Sequence, residues 1–153
     1  MDKDQNVLSV DLDTIRNCFE TNFYGLIQTT QTFFPLVKVA AEATGHAVIL
    51  DVSSDMASNA YQARPDSQYH LVAYNTGKSA ANSYTIALAH ELRSSNIKVN
   101  AVTPGYTSTK LNFFGAGGKD VTKGAEVLLP WALLDKDGPT GESIRTRQTI
   151  HIK

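Results

Sequence analysis

The sequence predicts an α/β fold built on a parallel sheet. Three observations carry this expectation. A long run of apolar residues at helical spacing lies near the amino end, two short apolar runs rich in branched residues follow it, and a second helical stretch separates those two runs. Helix, strand, helix, strand, helix in that order places crossover helices between parallel strands.

Each element has its own signal. Leu12, Ile15, Phe19, Phe23, Leu26, Thr30, Phe33, Val37 and Ala40 recur at helical spacing. They predict one long amphipathic helix from Leu12 to Ala40, with Asp11 as its N-cap, Gly45 as its stop and Pro35 placed to kink its last turns. HAVILDV, His46 to Val52, reads as a strand covered on both faces. Ser53 to Leu71 is polar, turn-rich and without clear period, so it is expected to be a loop. A second helix is expected from Val72 to Arg93, and IKVNAV, Ile97 to Val102, is a second strand closed by Pro104-Gly105. Asp120 to Leu134 reads as a helix interrupted by Pro130, and Leu134 to Gly141 reads as a turn. The final IRTRQTIHIK reads as a last strand. No internal repeat or low-complexity segment is present.

Composition narrows the function. The chain has 153 residues, the size of one domain. A net charge of −1 without a basic block gives no footprint for nucleic acid or an anionic membrane surface. No apolar run approaches the ~18 residues that would span a bilayer. The opening MDKDQNVLSV mixes charges and leads into no long apolar core, so it is not expected to be a signal peptide. Cys18 is the only cysteine, which rules out an internal disulfide and sets a reducing, cytoplasmic location as the expectation. Cys18 itself falls in the apolar helical pattern and is read as core packing. His46, His90 and His151 lack metal-ligand spacing, so no metal is expected. His70, four residues before Tyr74, is read as a solvated loop histidine, and Trp131 beside Pro130 as packing.

In open parallel sheets the ligand site lies outside the carboxyl ends of the strands. That directs attention to Ser53-Ser54 after the first strand and to Pro104–Thr109 after the second. Tyr74 and Lys78 stand four residues apart on a helix, hence on one face. A free phenol ionises near pH ~10, and a nearby ammonium favours the phenolate. Moving that pKa down by two or three units takes about 3–4 kcal/mol of differential stabilisation. Tyr74 would then suit general acid–base work on a hydroxyl or carbonyl, and Ser54 would hold the same oxygen. Asn22 falls on the buried stripe of the first helix, where an amide is costly unless hydrogen-bonded; it bonds structural backbone or organises a polar site. Each element taken singly has an ordinary reading: a solvated Tyr–Lys pair, a serine turn, a satisfied core amide.

Together these elements resemble the short-chain dehydrogenase/reductases. The matching stretches are NFYG (Asn22 to Gly25), VILDVSS (Val48 to Ser54), YNTGK (Tyr74 to Lys78), IKVNAVTPG (Ile97 to Gly105) and PGYTST (Pro104 to Thr109), spanning residues 10 to 141. The resemblance implies a Rossmann-like, doubly wound parallel sheet. It implies Tyr74 as acid/base, Ser54 on the reacting oxygen, and Lys78 on the nicotinamide ribose while it lowers the tyrosine's pKa. It implies Asn22 as the anchor of a water leading to Lys78. Pro104, Gly105, Tyr106, Thr107 and Thr109 would lie along the nicotinamide, with Tyr106 and Thr107 near the carboxamide and Thr109 near the phosphates. The long polar stretch before Tyr74 and the late DGPTG are most similar to NADPH-dependent carbonyl reductases, which favours NADP(H) over NAD(H) and a small-molecule carbonyl or alcohol as substrate.

The sequence also departs from the family pattern. Its glycine-rich dinucleotide fingerprint and early Asn-Asn-Ala-Gly motif are not found in residues 1–153, which match only the carboxyl-terminal, catalytic half of the family domain. GAGGK, Gly115 to Lys119, has the wrong glycine spacing and no preceding strand; it is read as a mobile substrate loop. After Thr140-Gly141 the tail ESIRTRQTIHIK is atypical. The expectation is therefore a strand HAVILDV with one apolar edge open, and a poorly stable chain of weak or no activity. The small residues Gly77, Ala80 and Ala81 would permit close helix approach, and the resemblance implies a homo-oligomer through the two long helices. The alternative to an enzyme is a truncated, catalytically inactive remnant that acts at most as a dimerising protein.

Overall fold

The computed structural model describes residues 4–67, 69–145 and 148–150. Its first helical rod runs from Leu12 to Thr44 in three pieces: α1 (Leu12–Phe19), a π turn (Glu20–Tyr24) and α2 (Gly25–Thr44). Asp11 caps the start through its side chain on the N–H of Asp13, and Gly45 ends the rod at φ 87°. Both ends follow the sequence reading. The π turn does not: five residues in the middle of the rod adopt the wider i→i+5 pattern, and Asn22 lies among them. Pro35 sits inside α2 without ending it.

β1 (Ala47–Val52) leads into a short 3₁₀ turn, Asp55–Ala57, and α3 (Asn59–Gln62). The expected structureless loop thus carries two short helical turns. The side chains of Ser54 and Ser58 cap them, accepting from the N–H groups of Met56 and Tyr61. Runs of three and four residues are too short to show a period, so only the serine caps signalled them. Then come α4 (Val72–Glu91), β2 (Ile97–Val102) and, after a 3₁₀ turn at Lys110–Asn112, α5 (Val121–Ala132) capped by Asp120. The single last strand expected from residue 144 onward is instead a hairpin, β3 (Ser143–Arg145) antiparallel to β4 (Gln148–Ile150). Residues 146–147 and 151–153 of that expected strand lie outside the described residues.

The sheet order is β1-β2-β3-β4. β1 and β2 pair in parallel from Ala47↔Ile97 to Val52↔Val102, so their carboxyl ends finish level. β2 and β3 pair in parallel at Ala101↔Ser143 and Val102↔Ile144. Ala41 of α2, Ala89 of α4 and Ile97 and Val99 of β2 form the centre of the core, with Phe34, Val37, Ala47, Ile49, Leu88 and Leu92 packed around it. α4 buries Ala73, Gly77, Ala81, Thr85 and Ala89, a stripe of small residues at every fourth position. Their size lets α1 and the sheet approach: a side chain at Gly77 would meet the carbonyl of Cys18 at 3.5 Å and Cβ of Asn22 at 3.7 Å. On the far side of β1 no strand pairs with it among the described residues. Asn100, fully buried on β2, fixes the late turn by donating to the carbonyl of Pro139 and accepting from the N–H of Glu142.

Candidate active site

The chain direction of β1 and β2 brings the residues singled out by sequence to one end of the sheet. Ser54 lies just past the end of β1, half-buried. Its hydroxyl accepts from the N–H of Met56 at 3.2 Å and favours ionisation of the phenol of Tyr74, which stands in the first turn of α4. Lys78, one turn further along α4, reaches back to β1 and donates from Nζ to the carbonyl of Val52 at 2.7 Å. Asn22, on the π turn, faces α4 at Gly77, the residue before Lys78. Its Nδ2 donates to the carbonyl of Cys18 at 3.0 Å. Asn22, Ser54, Tyr74 and Lys78 are therefore gathered at the carboxyl end of β1, where a parallel sheet places its ligands.

The electrostatics differ from the sequence expectation in one respect. Burial pushes the Tyr74 phenol above its ordinary value, while the Ser54 hydroxyl opposes the rise and Cys18 adds to it. The expected depression is not found: desolvation is the largest influence on the phenol and leaves its pKa raised. Burial likewise pushes Lys78 down, and Asp51 opposes that shift. The Cys18 thiol is pushed up by burial, which suits packing rather than nucleophilic work.

The loop leaving β2 starts beside the end of β1, where Ser53 N–H donates to the carbonyl of Val102. Gly105 takes φ 75°, which turns the chain after Pro104. Tyr106 is exposed, and Thr107 donates from its hydroxyl to the carbonyl of Gly105. Ser108 N–H donates to Lys119 O, and Lys119 N–H donates to Tyr106 O, which closes the loop at its neck. Thr109 is engaged within the loop: it and Asn112 form a capping box over the 3₁₀ turn. The backbone N–H groups of Tyr106 and Thr107 have no hydrogen-bond partner among the described residues. The GAGGK segment is thereby held at both ends; Gly118 passes so near Ser108 that an added Cβ would lie 2.7 Å from its backbone nitrogen.

Two residues near the site escaped the sequence reading. Gln5, 5% exposed, accepts at Oε1 from the N–H of Tyr74 at 3.1 Å, while its carbonyl accepts from Val72 N–H. It caps α4 from 69 positions away, and no local pattern reports such a contact. Asp51, 8% exposed on β1, accepts from the Thr85 hydroxyl. Its signal was in the sequence: an acid inside the apolar run ILDV.

No group of three or more metal-ligating side chains is present among the described residues, and no helix there is long and apolar enough to cross a membrane. Comparison with known proteins gives the following. The short chain dehydrogenase family model matches residues 1–114. The chain is 26% identical to (+)-neomenthol dehydrogenase of Capsicum annuum across 82% of its own length and 49% of that protein. It is 25% identical to salutaridine reductase of Papaver bracteatum across 90% of its length and 53% of that protein. The chain thus spans about half the length of the curated relatives it matches. Among solved structures, the carbonyl reductase Sniffer of D. melanogaster superposes with a TM-score of 0.79 at 23% identity, over 93% of this chain and 58% of that one. The NADPH-bound carbonyl reductase from chicken fatty liver gives 0.79 at 20% identity, over 94% and 56%. The family match over most of the chain and the shared Rossmann-like α/β fold lead to one conclusion: this chain belongs to the short-chain dehydrogenase/reductase family of oxidoreductases.

Proposed function

We propose that this chain carries the catalytic residues of an oxidoreductase that interconverts a small carbonyl compound and its alcohol, using NADP(H) in preference to NAD(H). The observation that carries the reading is the gathering of Ser54, just past the end of β1, with Tyr74 and Lys78 one turn apart on α4, the Lys78 ammonium donating to the carbonyl of Val52. The backbone donors of Tyr106 and Thr107, without a partner among the described residues, fit the carboxamide of a nicotinamide, and Pro104, Gly105 and Thr109 shape the same loop. The bound dinucleotide would supply the hydride.

The chain's own residues do the rest. Ser54 holds the substrate oxygen, and Tyr74 gives that oxygen its proton as the carbonyl carbon is reduced. A phenol held protonated by burial is the right form for that donation at neutral pH. Lys78 keeps two ammonium hydrogens beyond the one on Val52 and presents them to the ribose hydroxyls. Asn22, with Nδ2 on Cys18, keeps Oδ1 as an acceptor for a proton path toward Lys78.

A second reading is favoured by the open edge of β1 and by the groove between α2 and α4, which is lined by Phe34, Pro35, Tyr84 and Leu88. It is a catalytically inactive chain that acts at most as a dimerising protein through those two helices. A thermal-shift titration with NADPH and NADH, followed by carbonyl turnover of the wild type and of Tyr74→Phe, separates the two. A saturable rise in Tm and turnover lost in the variant support the oxidoreductase. A cooperative melt that neither dinucleotide moves, together with dimers by sedimentation, supports the second reading.

A further inference from the structure

Asp51 stands outside the four residues assigned above. It occupies β1 immediately before Val52, whose carbonyl receives the Lys78 ammonium at 2.7 Å. It is 8% exposed, and a buried carboxylate needs a cation or several donors. Its hydrogen-bond donor, the Thr85 hydroxyl, supplies less than one full bond. The Thr85 hydroxyl lies 3.3 Å from Asp51 Oδ2 but only 3.0 Å from the carbonyl of Ala81, and it has a single proton to share between them.

The geometry brings a cation to the next residue of the strand, with Lys78 Nζ on the carbonyl of Val52. Lys78, Ala81 and Thr85 follow one another along a single face of α4. Ala81, between the two longer side chains on that face, is fully buried and small. Burial pushes Asp51 up, with Lys78 and then Thr85 opposing; burial pushes Lys78 down, with Asp51 opposing. The other titratable groups around Lys78 are Tyr74 on its own helix, Cys18 on α1 across from Gly77, and Asp55 in the turn after Ser54. Asp51 is the one that counters its desolvation.

We propose that Asp51 is a positioning residue of the site, the buried counter-charge that keeps Lys78 an ammonium and holds it at the carboxyl end of β1. This rests on the reading of Lys78 as the cation beside Tyr74, yet the coupling can be measured without turnover.

The test is competitive acylation of the full chain with acetic anhydride across pH, read by mass spectrometry at Lys78 and at the exposed Lys136. In Asp51→Asn the Lys78 midpoint falls by about one unit or more while Lys136 stays. A folded variant with an unmoved Lys78 midpoint overturns the proposal. Should the variant fail to fold, the unaltered chain decides. Its Lys78 Cε resonance must step at the pH where the Asp51 Cγ resonance titrates, because coupling between two sites is reciprocal. Absence of that step overturns the proposal. A shifted midpoint in a chain that reduces no carbonyl upholds the counter-charge and sinks the catalytic reading instead.

Discussion

Asn100 donates its buried amide to the carbonyl of Pro139 at 2.9 Å, joining β2 to a turn 39 positions away. The same amide accepts the N–H of Glu142 at 3.0 Å, so one side chain fixes both the turn and the entry to β3. Asn100→Leu removes both bonds, from the carbonyl of Pro139 and from the N–H of Glu142. The expected loss is about 1–3 kcal/mol, at ~0.5–1.5 kcal/mol per hydrogen bond. Urea melts of the variant and the wild type check it.

Tyr74 links stability to alkaline pH. Its folded pKa is raised, so the unfolded chain releases this proton first as pH increases. The contribution is full below the ordinary phenol value and is lost as pH rises through the folded value. Tyr74→Phe has no such proton. Between pH ~8 and pH ~11 the wild type is expected to lose more stability than the variant. Equal losses would show that the phenol is not held protonated by the fold.

Gln5 supplies the cap that Leu71 cannot, since the start of α4 has no side-chain cap from its own N-cap residue. Gln5→Ala should cost about 1 kcal/mol and speed amide exchange at Tyr74. Gln5→Glu keeps the acceptor and should restore most of the protection. Hydrogen exchange at the Tyr74 amide, measured beside a mid-helix reference such as Ala81, reads the effect.

Gly118 is required by contact. An added Cβ would sit 2.7 Å from Ser108 N and 3.0 Å from its Cα, atoms that cannot swing aside. Gly118→Ala should therefore part Ser108 from Lys119 at the loop neck and cost about 1–3 kcal/mol. Faster amide exchange at both Ser108 and Lys119 is the expected signature; unchanged exchange would show that the neck absorbs the methyl.

Much of this fold was legible because its elements are long and periodic. Ile97–Val102 was read to the residue, and Asp11 and Gly45 marked helix ends through local cap chemistry. The placement of the candidate residues was legible through spacing: Tyr74 and Lys78 share a helix face, and Ser54 follows a strand. What the sequence concealed was non-local or too short to repeat. The turns at Asp55–Ala57 and Asn59–Gln62 hold fewer residues than one period needs. The direction of Lys78 depended on Val52 lying under it, which only the packed sheet reveals. The π turn was hidden because apolar spacing at Phe19, Phe23 and Leu26 fits an ordinary α-helix as well.

That π turn amounts to one surplus residue in the rod, and it sets the phase of everything after it. Each residue of an α-helix advances the side chains by about 100°. Removing the exposed Glu20 would let the rod close into uninterrupted α-helix and would locally relieve its hydrogen bonding. It would also rotate the two halves of the rod against each other. Asn22 could then face Gly77 only if Phe34, Val37 and Ala41 left the core, or those three could stay only if Asn22 turned away. One extra residue thus reconciles two demands on a single helix, packing at one end and polar chemistry at the other.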